Sequence, residues 1–120
     1  MHDGGQHLAG PGPTQRAQRQ ACLELAVGNL DAAISKYRES VEVDPAFFDG
    51  WHSLGMALMK QGQLQEAIGA GLMATELRPN DLLAWTSLSQ MYAKDGKIAE
   101  AEAAKANATV LSIGGKLKKE

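Results

Sequence analysis

Cys22, Asp49 and His52 are side chains of the types that bind metals or attack carbonyl groups. Asp49 and His52 are three residues apart, a spacing that puts both on one face of a helix. Carboxylate, imidazole and thiolate are all zinc-ligand types, and a cysteine beside a histidine is a nucleophile–base pairing. Neither chemistry is complete here. No oxyanion-hole donor, such as a helix N-terminus aimed at the three, can be found, and nothing suggests a closed apolar pocket around them. Asp and His are also ordinary residues at exposed helix positions. The expectation is therefore no catalytic residue, no metal and no cofactor.

The elements that would carry these residues are legible from a repeat. Gly28, Gly62 and Gly96 are spaced by 34 residues, and so are Ala33, Ala67 and Ala101. Leu30, Leu64 and Ile98 follow the same period, as do the pairs Pro45/Pro79, Trp51/Trp85 and Leu54/Leu88. Several independent columns sharing one period mark internal repetition. Each unit reads as helix, turn, helix. In the second unit Asp44 and Pro45 are expected to open the first helix as N-cap and first-turn proline. That helix should run to about Gln61, where Gly62 takes the left-handed position. A second helix is expected over about 63–77. The first unit has helices predicted at about 14–27 and 30–43, and the third at about 81–95 and 98–112. Gly55 lies inside a helix although Gly costs about 1 kcal/mol there relative to Ala. The spacing explains it: a small residue at Gly55 facing Ala67 lets the two backbones approach, with Trp51 and Leu54 filling the flanks.

Bulk properties agree with a single small helical domain. The chain has 120 residues, abundant Ala and Leu, and only 5% aromatics, which favours helix over sheet. The formal net charge of −2 gives none of the basic excess of a nucleic-acid binder. One cysteine permits no internal disulfide. No apolar run approaches the roughly 18 residues of a membrane span, and the N-terminus does not read as a signal peptide. A soluble, cytoplasmic protein is the expectation. Residues 1–13, rich in Gly and Pro and holding His2 and His7, read as a flexible tail. The repeats then occupy 14–47, 48–81 and 82–113, and 114–120 form a short basic tail.

Trp51-x2-Leu54-Gly55-x2-Leu58, followed by Ala67 and Pro79, resembles the tetratricopeptide repeat, whose period is 34 and whose pattern is W-x2-L-G-x2-Y, A-x3-F, P. The third unit matches through Trp85, Leu88, Tyr92 and Ala101, with Ser89 at the small position. The first matches best through Gly28, Ala33, Tyr37 and Pro45. The resemblance covers 14–113 and implies an all-α fold, a right-handed α-solenoid of three helix-turn-helix repeats. Departures are visible. Ala17, Gln20 and Glu24 replace the expected aromatic and apolar residues, as suits a solvating first repeat. Gly71 and Lys105 stand where an aromatic is usual, so the second helices of units two and three should pack through smaller contacts, and Gly69 with Gly71 should make helix 63–77 easier to fray or bend. Ile113 replaces the third proline, and "KLKKE" is too short for the extra solvating helix that members often carry.

The resemblance also implies a concave groove lined by the first helix of each pair. Projecting the helical period puts Gln15, Gln18, Cys22 and Leu25 on that surface from unit one. Unit two gives Asp49, His52, Met56, Met59 and Lys60, and unit three gives Leu83, Thr86, Gln90 and Lys94. A subset of the family grips acidic chaperone C-termini with fixed Lys, Asn and Arg donors. Those positions fall here on Gln18, Cys22, Ser53, Leu83 and Ser87, and none matches, so no chaperone-tail clamp is expected. Methionines adapt to varied apolar shapes, and a groove of amides, two methionines and one histidine suits a peptide with modest apolar anchors. Met56 and Met59 equally suit filling gaps between helices. The functional expectation is a protein-interaction module for a peptide or partner protein, without nucleic acid or membrane, with a monomer favoured. The alternative is an assembly protein that self-associates or docks through its uncapped C-terminal helical end. Both tryptophans read as core, and Trp51→Ala is expected to cost about 3–5 kcal/mol, measurable as a shift in the urea midpoint.

Overall fold

The computed structural model describes residues 12–117. The expected tail at 1–13, with His2 and His7, lies almost wholly outside them, as do the last three residues. Among the described residues there are six helices: α1 (Pro13–Ala26), α2 (Leu30–Val43), α3 (Phe48–Gln61), α4 (Leu64–Leu77), α5 (Leu82–Lys94) and α6 (Ile98–Ser112). No strand is present among the described residues. Two compact units divide the chain, one ending at Pro45 and the other starting at Ala46.

The turn within each hairpin is set by one device. At the end of α3, Gly62 has φ +88°, a left-handed conformation that only glycine adopts cheaply. Gln63 N–H then donates to the Leu58 carbonyl at 3.0 Å and Gly62 N–H to that of Met59 at 3.1 Å. These are the two bonds that close a helix C-terminus with a left-handed glycine. The periodic mates Gly28 and Gly96 do the same, with Asn29 donating to Glu24 and Lys97 to Tyr92.

The connections between repeats differ from expectation at one point. The α3 helix begins at Phe48, not at Asp44–Pro45, and Phe47 is its N-cap without a side-chain bond. Asp44 instead closes α2, its N–H donating to the Ser40 carbonyl at 3.0 Å. Pro45 therefore lies in a turn rather than in a first helical turn. One period later Asp81 occupies the place of Phe47, and its carboxylate accepts from Ala84 N–H at 3.0 Å. This satisfies one of the orphan amides at the start of α5.

In the first unit α1 contributes Ala17 and Ala21 to a core completed by Ala33, Ile34, Tyr37, Ser40 and Val41 of α2. These two alanines are the only residues that α1 buries, and the buried Tyr37 of α2 is the largest side chain of this core.

In the second unit α3 packs on α4, α5 on both α4 and α6, and α3 reaches α5. The close approach expected at Gly55 is present and involves three helices. A Cβ built there would lie 3.4 Å from the Ala67 carbonyl oxygen and 2.8 Å from Met91 Cε. A Cβ on Gly71 would lie 2.9 Å from Met91 Sδ. The fully buried Met91 side chain therefore lies against two glycine surfaces, one on α3 and one on α4. Gly71 does not interrupt its helix: α4 is continuous from Leu64 to Leu77, and the volume an aromatic would take is occupied by the methionine. Trp51 is half-buried against a cluster of Phe48, Ala74 and Ala84, which puts the cost of Trp51→Ala at the lower end, about 3 kcal/mol.

The two glycines of α4 should therefore respond in opposite ways to the gain of a methyl or larger group. A Cβ at Gly69 meets nothing within 4 Å. Gly69→Ala should stabilise the protein by about 1 kcal/mol, the helix-propensity difference alone. Gly55→Val, by contrast, drives methyl groups toward Met91 and the Ala67 carbonyl, and should destabilise by about 1–3 kcal/mol, as overpacking does. Urea unfolding of both variants beside wild type measures the two effects.

Candidate functional site

The first helices of repeats two and three, α3 and α5, present one face of the second unit. Phe48 starts the first turn of α3 and His52 follows one turn later. Their rings stack with centroids 5.7 Å apart and an interplanar angle of 10°. The Arg78 guanidinium, just past the end of α4, lies 4.3 Å above the centre of the Phe48 ring, a cation–π contact worth about 0.5–1 kcal/mol at an exposed site. On its polar side His52 reaches across to α5, with Nε2 3.0 Å from Ser87 Oγ. A hydroxyl both donates and accepts, so either neutral tautomer of the ring satisfies the pair. Ser87 is buried and His52 half-buried. The imidazole is thus fixed between an aromatic face and a buried hydroxyl.

The other predicted residues of this unit take different places. Met56 and Met59 are half-buried on α3, whereas Asp49, Lys60, Gln90 and Lys94 are exposed. Leu83 is also exposed, at 65%. Thr86 donates its hydroxyl to the Leu82 carbonyl at 2.9 Å, which leaves its methyl as the more available part.

In the first unit the predicted residues serve their own hairpin. Gln15 accepts from Gly12 N–H at 3.3 Å and helps start α1. Gln18 Oε1 lies 3.5 Å from Ser40 Oγ, and Cys22 Sγ lies 3.7 Å from the Tyr37 hydroxyl. Leu25 is half-buried. Among the described residues no group of three or more His, Cys, Asp or Glu side chains is arranged to hold a metal ion.

Sequence reading missed Ser87, Phe48 and Arg78 as parts of this arrangement. The Phe48–His52 stack was accessible as an i, i+4 pair, and Ser53/Ser87 form a period-34 column. The position of Arg78 over the ring depends on how the α4–α5 turn returns to α3, which no local pattern carries.

Among the described residues no helix is long and apolar enough to cross a membrane. No match was found among curated proteins. Several solved structures resemble the chain. MamA from AMB-1 superposes with a TM-score of 0.79 at 26% identity, over 85% of this chain and 60% of that one. The CopN–Scc3 complex gives 0.80 at 22% identity, covering 84% of this chain and 59% of that one. The first repeat domain of Spaghetti (RPAP3), bound to the HSP90 peptide SRMEEVD, gives 0.80 at 16% identity over 86% and 82%. The chain thus spans about 60% of the length of the MamA chain that it matches. These likenesses are to α-solenoids built from helical repeats, and the tetratricopeptide repeat model matches residues 19–82. With that match spanning more than half of its length, the chain belongs to the tetratricopeptide repeat family.

Proposed function

We propose that this chain is a protein-interaction module that receives a peptide or partner segment along the first helices of its repeats and catalyses no reaction. The observation that carries this reading is the α3/α5 face. There His52 is braced by Phe48 and Ser87, and two half-buried methionines lie on the same helix. Rigid helices holding a few polar groups among soft apolar ones suit peptide recognition. Support also comes from the similar fold seen with an HSP90 peptide in RPAP3 and in the CopN–Scc3 complex. The ligand proposed for this chain is not an acidic chaperone tail. Gln18, Cys22, Ser53, Leu83 and Ser87 supply none of the cationic donors such a tail needs, and Ser87 is already paired with His52.

A second reading, assembly through the C-terminal end, is favoured by the exposure of Ile98 and Ile113, 59% and 80%. Light scattering over a concentration series separates the two: growth of the particle mass supports assembly, and a constant monomer mass removes it.

Peptides selected on the wild-type protein from a displayed random library test the first reading. Their affinity should fall at least about tenfold, or 1.4 kcal/mol, for the double variant His52→Glu, Met56→Glu, with far-UV circular dichroism unchanged. Equal affinity for the two proteins would remove the α3/α5 face from the account.

A further inference from the structure

The second unit has another face, built from the second helices of its two repeats. Helices α4 and α6 hardly touch one another directly, because α5 packs between them. A cleft of about 180 Å³ opens at that place. Leu72 of α4 forms one wall, Ala103 and Asn107 of α6 form the other, and Trp85 and Tyr92 of α5 line it, with Glu100 at the rim.

The cleft exists because the side chains that could close it are small. On the α6 side Ala103 and Ala104 bring only methyl groups to it. Two aromatic rings of α5 therefore remain half-buried instead of covered. The Trp85 ring is also held in place, since its Nε1 donates to the Pro79 carbonyl at 2.8 Å. Leu72 is 43% exposed. Asn107 is half-buried, and its amide makes no hydrogen bond among the described residues. An amide lining an apolar cleft in this way is available to a guest's backbone.

Charge distinguishes this face from the other. Glu100 lines the cleft and Glu76 follows Leu72 by one turn of α4, whereas Lys105, the one ammonium of the two helices, is not among the lining residues. Helices α3 and α5 carry Asp49 against Lys60 and Lys94. The nearby Lys97 interacts with Glu100, and its charge there is offset by its ion pair with Asp95 at 2.7 Å.

From this combination we infer that the α4/α6 cleft is a second docking site, separate from the α3/α5 face, for a basic partner segment that inserts one bulky apolar side chain. The apolar anchor enters between Leu72 and Ala103 and rests on Trp85 and Tyr92. Flanking lysines or arginines meet Glu100 and its neighbours. An aromatic-lined pocket with an opposite-charge rim is the usual arrangement for one anchor plus steering.

Trp85 itself supplies the readout in a Trp51→Phe background. The probe is an amphipathic peptide of lysine and leucine, with a glutamate–leucine and a lysine–serine peptide of the same pattern as controls. The lysine–leucine peptide should shift Trp85 emission and bind at least about tenfold more tightly than either control, with affinity falling as salt rises. Ala103→Phe, which fills the cleft from an exposed position, and Glu100→Lys should each weaken it at least about fivefold. The double variant His52→Glu, Met56→Glu should bind it as the parent does, so failure of the first site is distinguishable from failure of this one. The inference is overturned if the lysine–leucine peptide does not bind, or if the glutamate–leucine peptide binds equally. Indifference to both cleft variants, loss of binding in the double variant, or a peptide-free dimer that Ala103→Phe dissociates would overturn it too.

Discussion

The second unit depends on how closely three backbones approach around one methionine. Met91 contacts α3 where Gly55 has no side chain and α4 where Gly71 has none. Neither glycine is good for its own helix. Their cost is offset because the fully buried Met91 makes dispersion contacts on two sides that a Cβ would prevent. Interiors are close-packed, so the place of α5 on the α3/α4 hairpin follows from this fit more than from any hydrogen bond.

Two surfaces follow from that arrangement. Drawing α5 down between α3 and α4 brings Ser87 within reach of His52, which ties α3 to α5 and rigidifies one face. The same placement leaves α4 and α6 apart, so Trp85 and Tyr92 show through on the other side. The small residues that permit the tight contact on the inside thus coincide with thin second helices on the outside. A large aromatic in place of Gly71 would compete with Met91 for the same volume.

The repeat and its consequences were legible from spacing alone. Period-34 columns gave six helices, and the glycines at 28, 62 and 96 marked the hairpin turns, because a left-handed position excludes nearly every other residue. The close approach at Gly55 was also predictable, since a helix tolerates Gly only where something needs the room. The start of α3 was misplaced by an Asp-Pro pair that looks like a helix opening. Those letters are compatible with both a cap and a turn, and the choice fell to the end of α2, where Asp44 completes a backbone bond. Likewise Gly71 looked like a weakness when considered within its own helix. Its role lies in a residue twenty positions away.

Composition, period and turn chemistry by themselves determined that this protein is all-α, repeats three times, and places particular residues on the first helix of each pair. Local rules suffice there, because a helix and its caps involve only neighbours within about four residues. Tertiary packing alone decided that His52 pairs with Ser87, that Arg78 covers Phe48, and that Leu72, Trp85 and Ala103 border one cleft. Each of these joins side chains from different helices, and the distances between such groups depend on how far the helices approach, which is set by the volumes of all the residues between them.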